Sequence, residues 1–347
     1  MRLAVIGAGA VGGVIAALAD RAGHDVSVTA RGAQLDAIAA EGLYLSGHWG
    51  EHRARPRASA LLAVDRGAPY DLALLTVKAQ DAAAALSANA AALEGVPLVV
   101  VQNGLGGAAA AAAHLPATPV VGALALFAAS YLSPGEVSIT TPATTYLGLP
   151  TTSGLDPRSG AAARAALDLA SATLAPLLPI ATTANFEGAQ WTKLIVNQIN
   201  ALPAITGLPV QETIADPRLR SVLTSSMREA VAVARAAGVR FEPLLGLSDP
   251  LLRAFQLAPH PLARLLPRLM ARRMGPTPNP GSTLQSIRRG QLTEIDHLNG
   301  AVVAAARTLG RQAPVNASLA ALVHRVEREG HFLAPADVAS TVATLPR

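Results

Sequence analysis

The chain contains no cysteine, and among its 28 basic residues only Lys78 and Lys193 are lysines. The absence of cysteine excludes disulfide bonds, thiolate nucleophiles and thiolate metal ligands. The two lysines stand out because an amine can release its proton when its pKa is tuned, whereas a guanidinium keeps its proton under any working condition. A coding bias towards arginine would leave the same pattern, so the positions of the two lysines must decide between proton chemistry and chance.

Aromatic residues are also scarce, at 3% of the chain, although the net charge is +5. The basic clusters at residues 53–57 and 264–273 lack the interleaved aromatic side chains on which bases stack, so nucleic acid is not an expected partner. Leucines between the arginines of the second cluster predict an amphipathic helix with a solvated outer face, with a membrane or protein contact as the alternative. No apolar run approaches the roughly 18 residues of a membrane span, so no membrane partner is expected.

The N-terminal segment predicts a dinucleotide site. An apolar strand, residues 2–6, runs directly into a glycine-rich turn and then into a helix-forming run. Gly7 suits the tight turn, Gly9 lets the backbone approach a pyrophosphate at the helix N-terminus, and Gly12 allows close packing of helix on strand. The candidate cofactor contacts of this segment are Gly7, Gly9, Ala10, Val11 and Gly12. A secretory signal is the competing interpretation, and regularly spaced glycines that begin at residue 7 argue against it.

The end of the second predicted strand, residues 24–29, carries Ala30 and Arg31 where NAD-binding chains usually have an acidic residue. A carboxylate there binds the ribose 2′-hydroxyl and repels a 2′-phosphate, while a guanidinium grips the phosphate with paired hydrogen bonds. Arg31 therefore predicts NADP(H) as the cofactor. The alternative is an arginine that merely faces solvent.

Strands and helices alternate through the first half of the chain, which indicates a parallel sheet with crossover helices. Two predicted strands, residues 71–77 and 97–101, are followed by Lys78 and Asn103, and ligands of such sheets bind beyond the carboxyl ends of the strands. A predicted helix, residues 81–93, lies between these strands. Residues 135–149 predict an antiparallel hairpin that finishes the sheet.

Beyond about residue 184 the strand signals vanish. The predicted helices there are residues 187–206, 217–237, 282–289, 294–309 and 317–329, and the proline-rich residues 274–281 predict a loop. We therefore expect an α/β plus all-α protein, with an NADP-binding domain of Rossmann type in residues 1–184 and a helical domain in residues 185–347. The cofactor and the lack of a targeting signal favour the cytoplasm.

The predicted helix of residues 187–206 carries the second lysine. Lys193, Asn197 and Asn200 stand at i, i+4 and i+7, so they share one face of a continuous helix while apolar residues cover the others. Polar groups aligned on an apolar helix are paired or bind something, which favours a binding site. An ordinary solvent-facing stripe is the alternative.

Taken together, these features resemble the ketopantoate reductase family (2-dehydropantoate 2-reductase) from end to end. The motifs that carry the resemblance are GAGAVG from Gly7 to Gly12, the Arg31 position, TVK ending at Lys78, QNG around Asn103, WTKLIVN ending at Asn197, STLQ from Ser282, and TEIDHLNG around Glu294. The STLQ and TEIDHLNG motifs, at the separation they have here, are the ones specific to the family. The resemblance implies NADPH-dependent reduction of ketopantoate to pantoate, a step towards pantothenate and coenzyme A.

The resemblance also implies a role for each residue, and it makes the helical domain the substrate-binding and catalytic domain. Lys193 is the general acid, and Glu294 holds the substrate hydroxyl and completes the cofactor site. The remaining roles are substrate carboxylate binding by Ser282, orientation of nicotinamide and substrate by Asn103 and Asn197, cofactor contact by Lys78, and 2′-phosphate binding by Arg31. A poised ammonium would stabilise the charge that grows on the ketone oxygen and deliver the proton. For Glu294 the alternative is a structural role at a helix start, where acidic residues complement the helix dipole.

The chain departs from the family pattern in two places. Asn200, also a candidate substrate ligand, is displaced by one residue, and such a shift rotates a side chain by about 100° around a helix. Extra residues around 151–160 and 241–280 lengthen the chain, and the second insertion precedes Ser282, where it could reshape the substrate pocket. Reduction of another branched 2-keto acid is therefore the alternative function.

A non-catalytic NADP-binding sensor would retain the fold, but it would not need the lysine, asparagine and glutamate set of the second half. A metal site is not expected, because His48 and His52 have helical spacing in a strand and turn region. The oligomeric state is left open, with a homodimer as one option.

Overall fold

The computed structural model describes residues 1–64, 70–150, 157–275 and 278–344, with the backbone alone at residues 157–159. The chain divides into two compact units, Met1–Phe186 and Glu187–Arg347. The first combines strands with helices, and the described part of the second consists of helices and loops with one isolated β-bridge. The predicted fold class, a Rossmann-type domain followed by a helical domain, is confirmed.

In the first unit, strands and helices alternate as the hydrophobic pattern predicts. Its described elements are β1 (Arg2–Ile6), α1 (Ala10–Arg21), β2 (Asp25–Thr29), α2 (Gly32–Glu41), β3 (Leu43–Gly47), β4 (His52–Ala54), β5 (Arg57–Ser59), β6 (Leu72–Leu75), α3 (Ala82–Leu93), β7 (Leu98–Val101), α4 (Gly107–His114), β8 (Val120–Ala125), β9 (Ala128–Ser133), β10 (Glu136–Thr141), β11 (Thr145–Gly148), α5 (Pro157–Leu174) and β12 (Ile180–Thr182). The predicted strands at residues 2–6, 24–29, 71–77 and 97–101 are confirmed as β1, β2, β6 and β7, and the predicted helix at 81–93 as α3.

Eight strands form the main sheet in the order β12-β11-β8-β7-β6-β1-β2-β5. From β8 to β5 all neighbours are parallel, whereas β11 is antiparallel to β8 and parallel to β12. Every residue of β6 and β7 is buried, as expected of apolar strands covered on both faces. Because β1 lies between β2 and β6, the glycine segment that follows β1 lies at the middle of the carboxyl edge.

The predicted hairpin over residues 135–149 is wrong. β10 pairs with β9 and β3 in a second sheet of order β4-β3-β10-β9, whereas β11 joins the main sheet beside β8. Pro142 lies between β10 and β11 and cannot donate to a ladder, so one pairing does not continue across it. Alternating apolar residues predict strands, but they do not specify the partner strand.

The second sheet explains why α1 is so apolar. Val137 of β10 is fully buried, and a Cβ added at Gly13 of α1 would lie 2.8 Å from its Cγ1 atom. Residues 12–19 of α1 are all buried. The helix that begins at the glycine segment is therefore packed against the second sheet, and its N-terminus is held firmly in place.

Helices dominate the second unit. The described ones are α6 (Phe186–Asn197), whose first residue belongs to the first unit, α7 (Ala201–Thr206), α8 (Val210–Ala215), α9 (Pro217–Ala236), α10 (Asp249–Leu257), α11 (His260–Ala263), α12 (Leu265–Arg273), α13 (Gly281–Arg288), α14 (Asn299–Thr308), α15 (Pro314–Glu329) and α16 (Pro335–Ala343). The predicted helices at residues 217–237, 282–289 and 317–329 are confirmed as α9, α13 and α15.

Two predicted helices are interrupted. The helix predicted over residues 187–206 ends at Asn197, passes through the 3₁₀ turn Gln198–Asn200 and resumes as α7. Pro203 lacks the N–H group that would bond the carbonyl of Ile199, so a regular α-helix cannot run through this point. The helix predicted over residues 294–309 begins only at Asn299.

The proline-rich segment separates α12 from α13, as predicted, although residues 276–277 lie outside the described residues. The predicted amphipathic helix over residues 264–273 is α12. Its Leu266 and Pro267 are buried, whereas Leu265 and Leu269 are exposed. In the ranges described, no helix combines the length and the apolar character needed to span a membrane.

Candidate active site

Sheet register aligns the predicted cofactor residues of the first unit. Ile6, the last residue of β1, pairs with Thr29 of β2 and Leu75 of β6. Leu75 in turn pairs with Val100 of β7. Since these strands are parallel, the segments that follow them meet at one edge of the sheet. That edge therefore contains the segments that hold Gly7, Arg31, Lys78 and Asn103.

Two threonines hold the glycine segment. The Gly7 N–H donates to Oγ1 of Thr29 at 3.0 Å, and the Thr76 hydroxyl lies 2.8 Å from the Gly7 carbonyl oxygen. Gly7 has a φ of +102°, which favours glycine, and a Cβ at Gly12 would lie 2.1 Å from the Gly7 oxygen. Both glycines are therefore required by the turn and by its packing.

Gly9 is glycine for a different reason. It has a φ of −79°, and no atom lies within 4 Å of a Cβ placed there. The first bond of the helical ladder runs from Gly13 to Gly9, so the N–H groups of Ala10, Val11 and Gly12 lie at the helix N-terminus without an acceptor in the ladder. Amides beside such an open space fit an anionic diphosphate.

Arg31 follows the buried Ala30 at the end of β2 and precedes α2. The first turn of α2 is tied to the glycine segment, because the Gln34 side-chain amide donates to the Ala8 carbonyl at 2.7 Å. Arg31 is exposed, and its guanidinium makes no hydrogen bond or ion pair within the described ranges. Its position and its charge fit a phosphate on the ribose of a dinucleotide.

Lys78 and Asn103 follow the parallel neighbours β6 and β7, and both are half-buried. Their loops are joined, because the Gln102 side-chain amide donates to the Val77 carbonyl at 3.0 Å. A lysine and an asparagine amide are therefore placed at the same edge as the glycine segment. The candidate cofactor residues of the first unit therefore lie together at this edge.

The second unit brings together the polar residues of α6 and the turn that follows it. Lys193, Asn197 and Asn200 are each half-buried, while Leu194 and Ile195 between them are buried. The three polar residues therefore remain on the less buried side despite the change to a 3₁₀ turn. This distribution contrasts with an ordinary solvent-facing stripe, whose side chains would be exposed.

The Lys193 amine has a strongly altered proton affinity. Burial lowers its pKa from 10.5 to about 8, and the negative charge of Glu294 acts in the opposite direction. At pH 7 the amine is therefore protonated by about ten to one, yet it can release its proton at a pH only slightly higher. Such a balance is what proton donation near neutral pH requires.

Asn200 lies close to Gly281, the residue that precedes Ser282. A Cβ at Gly281 would lie 2.6 Å from Oδ1 of Asn200, and Gly281 has a φ of +72°. Gly281 begins α13, and Ser282 is exposed in its first turn. The structure thus brings Asn200 beside the start of α13, which the sequence pattern alone did not indicate.

Glu294 is half-buried and lies outside any α-helix, directly before the 3₁₀ turn Ile295–His297. Because α14 begins only at Asn299, Glu294 is not in its first turn. The alternative role of Glu294, an acidic residue at the start of a predicted helix, therefore does not apply to α14. Its charge acts instead on the Lys193 amine.

A buried network of side chains joins the helices around this site. The Asn299 side-chain amide donates to Oε1 of Gln198 at 2.8 Å and to Oδ1 of Asn316 at 3.0 Å. The Ser226 hydroxyl lies 3.0 Å from the same two oxygen atoms. Since Gln198 directly follows α6 and Asn299 begins α14, the network fixes the segments that carry Lys193 and Glu294 relative to each other.

Sequence reasoning missed the residues that support the site. Thr29 ends β2 and Thr76 follows β6, the two strands next to β1, and this position at the carboxyl edge was the available signal. Gln34 gave no local signal, because its partners, the Ala8 carbonyl and the Gly135 amide, are distant in sequence. The four side chains of the network around Asn299 lie on separate chain segments, so only the folded chain reveals that they are neighbours.

The two histidines with helical spacing have other partners. Nδ1 of His48 lies 3.3 Å from the Ile139 carbonyl oxygen, and Nε2 of His52 lies 2.8 Å from a carboxylate oxygen of Asp20. Across the described ranges, no three histidine, aspartate or glutamate side chains cluster as a metal-ligand set. These histidines are therefore accounted for by protein contacts.

Two protein-family models together match most of the chain. The ketopantoate reductase PanE/ApbA model matches residues 3–151, and the model of the C-terminal part of the same family matches residues 185–327. The chain belongs to the ketopantoate reductase PanE/ApbA family. It is accordingly an oxidoreductase of a family that acts on 2-keto acids with NAD(P)H.

Relatives of this ketopantoate reductase family member cover nearly its whole length. A 2-dehydropantoate 2-reductase of Halobacterium salinarum is 30% identical over 95% of this chain and 100% of its own. A PanE/ApbA family ketopantoate reductase structure from Ralstonia eutropha JMP134 is 31% identical with a TM-score of 0.75, over 95% of this chain and all of the other. A D-mandelate dehydrogenase structure with NADH and anilino(oxo)acetate has a TM-score of 0.78 at 19% identity, over 96% of this chain and all of the other, and shares the fold.

The structure describes most of the second predicted insertion but only the end of the first. Residues 151–156 of the first lie outside the described residues, and residues 157–160 belong to α5. The segment predicted as the second insertion, around residues 241–280, contains the helices α10, α11 and α12 before α13.

Proposed function

We propose that the protein reduces a 2-keto acid with NADPH, that ketopantoate is the substrate, and that Lys193 is the proton donor. The observation that carries the proposal is the Lys193 amine, whose pKa is lowered to about 8 by burial while the charge of Glu294 favours its protonated form. The near-complete coverage by 2-dehydropantoate 2-reductases supports the choice of substrate.

The residues of the first unit fit a dinucleotide. The amides of residues 10–12 and the open space at Gly9 suit its diphosphate, and Arg31 suits a 2′-phosphate and hence NADPH. Lys78 and Asn103, at the same sheet edge, would contact the rest of the cofactor. Bound NADPH would supply a hydride to the carbonyl carbon of the substrate.

The residues of the second unit would then handle the substrate and the proton. The Lys193 ammonium donates to the ketone oxygen, stabilises the negative charge that grows there and releases its proton to that oxygen. The Glu294 carboxylate favours the charged lysine and accepts a hydrogen bond from the substrate hydroxyl. Ser282 donates to the substrate carboxylate, and the amides of Asn197 and Asn200 orient the substrate.

Another 2-keto acid is the second candidate substrate. The surroundings of Asn200 favour it, since this amide lies close to Gly281, directly after the segment predicted as an insertion. A D-mandelate dehydrogenase shares the fold, so aryl as well as branched aliphatic 2-keto acids belong in the test. The reaction and the role of Lys193 would be the same for either substrate.

The test is NADPH oxidation, followed by absorbance, with ketopantoate and a panel of branched and aryl 2-keto acids. The highest kcat/KM is expected with ketopantoate and NADPH, and a Lys193→Met variant serves as the blank for background oxidation. A higher kcat/KM with another 2-keto acid would change the proposed substrate but not the proposed reaction. Tight NADPH binding without turnover of any member would overturn the proposal in favour of a cofactor sensor.

A further inference from the structure

His324 of α15 lies between two carboxylates. Its Nε2 is 2.9 Å from Oδ1 of Asp296, in the 3₁₀ turn after Glu294, and its Nδ1 is 2.7 Å from Oε2 of Glu327 on its own helix. One imidazole ring therefore joins the loop that holds Glu294 to the side of α15. Only a doubly protonated ring can donate to both carboxylates at once.

Glu327 also holds the other end of the same loop. Its Oε1 accepts a hydrogen bond from the backbone N–H of Thr293 at 2.8 Å. Residues 293–296 are thus fixed to α15 on both sides of Glu294, at Thr293 through Glu327 and at Asp296 through His324. Ile295, which is fully buried, anchors the apolar side of the loop.

We propose that His324 is a positioning residue that, together with Asp296 and Glu327, holds the loop so that the Glu294 carboxylate stays beside the Lys193 amine. The inference rests on the proposed function in so far as that pair is the catalytic one. His324 touches neither of the two residues, and it acts through the backbone of the loop. A loop released at one end would let the carboxylate move, and displacements of about 1 Å in such groups can lower rates by about 10².

The three side chains His324, Asp296 and Glu327 form a clamp on the loop. This clamp depends on pH, because His324 must be doubly protonated to donate to both carboxylates. Burial lowers the pKa of His324, but the hydrogen bonds and charges of Asp296 and Glu327 outweigh it and raise the pKa overall. The two contacts are therefore complete at a pH below 6.5, the ordinary histidine value, and one is lost as the pH rises through the higher folded-state pKa.

The charged groups around His324 come from few elements. Asp296 belongs to the 3₁₀ turn and Glu327 to α15 itself. Among the helices that pack on α15, α7 has no ionisable side chain, α14 has Arg307 in its last turn, and α16 has the exposed Asp337. From α9, Glu229 accepts hydrogen bonds from Val315 and Asn316 in the first turn of α15, more than a helical turn from His324.

The scarcity of lysine supplies a direct test. Because the chain has only two lysines, selective ¹³C labelling at Cε gives two lysine signals, and Lys193→Met assigns them. The pKa of Lys193 can then be measured in the intact protein without substrate. Glu294→Gln should lower this pKa, because it removes the charge that opposes the effect of burial.

His324→Gln should lower the pKa of Lys193 in the same direction, and His324→Lys, which can donate to both carboxylates, should restore it. His331→Gln is the matched control, since His331 is exposed and meets Glu329, outside the loop. Should His324→Gln fail to fold, Asp296→Ala at an exposed carboxylate removes the same contact. An unchanged Lys193 pKa in these clamp variants, alongside a lowered one in Glu294→Gln, would overturn the proposal.

Kinetics gives a second measurement. His324→Gln should lower kcat by about tenfold without changing NADPH affinity, and His324→Lys should recover most of the loss and flatten the pH dependence that titration of His324 causes. Wild-type kcat in His324→Gln would contradict the proposal. If the wild-type protein turned over no 2-keto acid, the proposed function would fail, while the lysine titration would still decide whether the clamp holds Glu294.

Discussion

The two units offer candidate functional residues of different kinds. In the first unit the site is mostly backbone, with Gly7 and Gly12 set by conformation and packing and the amides after Gly9 left at a helix N-terminus. In the second unit it is made of side chains, above all Lys193 and Glu294, which come from distant parts of the chain. A backbone site is sensitive to added volume, whereas a side-chain site is sensitive to changes of charge and proton affinity.

The glycine turn of the first unit and Lys193 of the second also differ in what they contribute to folding. The glycine turn is stabilised by the hydrogen bonds that shape it, such as those of Thr29 and Thr76. Lys193, by contrast, is held where its charged form is disfavoured by burial. Function and stability therefore coincide in the glycine turn and oppose each other at Lys193, and the following variants test this contrast.

The largest effect is expected from Lys193→Arg, which keeps the positive charge and removes the transferable proton. We expect kcat for 2-keto acid reduction to fall by about 10² to 10⁴, the usual contribution of a general acid, while NADPH affinity is retained. Steady-state kinetics and a binding titration measure the two quantities. In the wild-type protein, the rate of reduction should decline as the pH rises through about 8. Near-normal kcat in the variant would remove Lys193 from proton transfer.

Lys193→Met should stabilise the protein at neutral pH. In the folded chain the pKa is about 8 instead of 10.5, so protonation opposes folding below pH 8, and this penalty vanishes as the pH rises above 10.5. The shift corresponds to an increase of up to about 3 kcal/mol in the free energy of unfolding at pH 7. Urea unfolding at pH 7 and at pH 10 measures it. Equal gains at both pH values would point to better packing instead of the removal of a disfavoured charge.

The same contrast explains how much could be predicted from the sequence. The glycine segment has fixed local spacing, so the strand, the turn and the helix start of the first unit were predictable. Helical spacing also predicted that Lys193 and Asn197 share one face of a helix, because a period of 3.6 residues is a local property. The packing of Asn200 against Gly281 and the clamp at His324 were not predictable, since each joins residues from separate segments. The hairpin over residues 135–149 failed for the same reason, because its strands pair with different sheets.

Gly9→Ala and Gly12→Ala form a matched pair within one motif. A Cβ at Gly12 would lie 2.1 Å from a backbone oxygen, so Gly12→Ala should lower the free energy of unfolding by about 2 kcal/mol. A Cβ at Gly9 meets no atom within 4 Å, so Gly9→Ala should leave stability nearly unchanged while it weakens NADPH binding about tenfold or more. Thermal unfolding and a fluorescence titration separate the two effects. Normal NADPH affinity in Gly9→Ala would show that the diphosphate is bound elsewhere.

Arg31, like Lys78, is a candidate of the first unit that acts through a charged side chain, and the smallest effect is expected from its replacement. Since its guanidinium is exposed and engages no other group among the described residues, Arg31→Ala should leave stability within about 0.5 kcal/mol of the wild type. Loss of a charge-assisted phosphate contact should weaken NADPH by about tenfold and leave NADH nearly unaffected. Dissociation constants for both cofactors, measured for the wild type and the variant, give the selectivity directly. Equal weakening of NADPH and NADH would mean that the 2′-phosphate is recognised by another group.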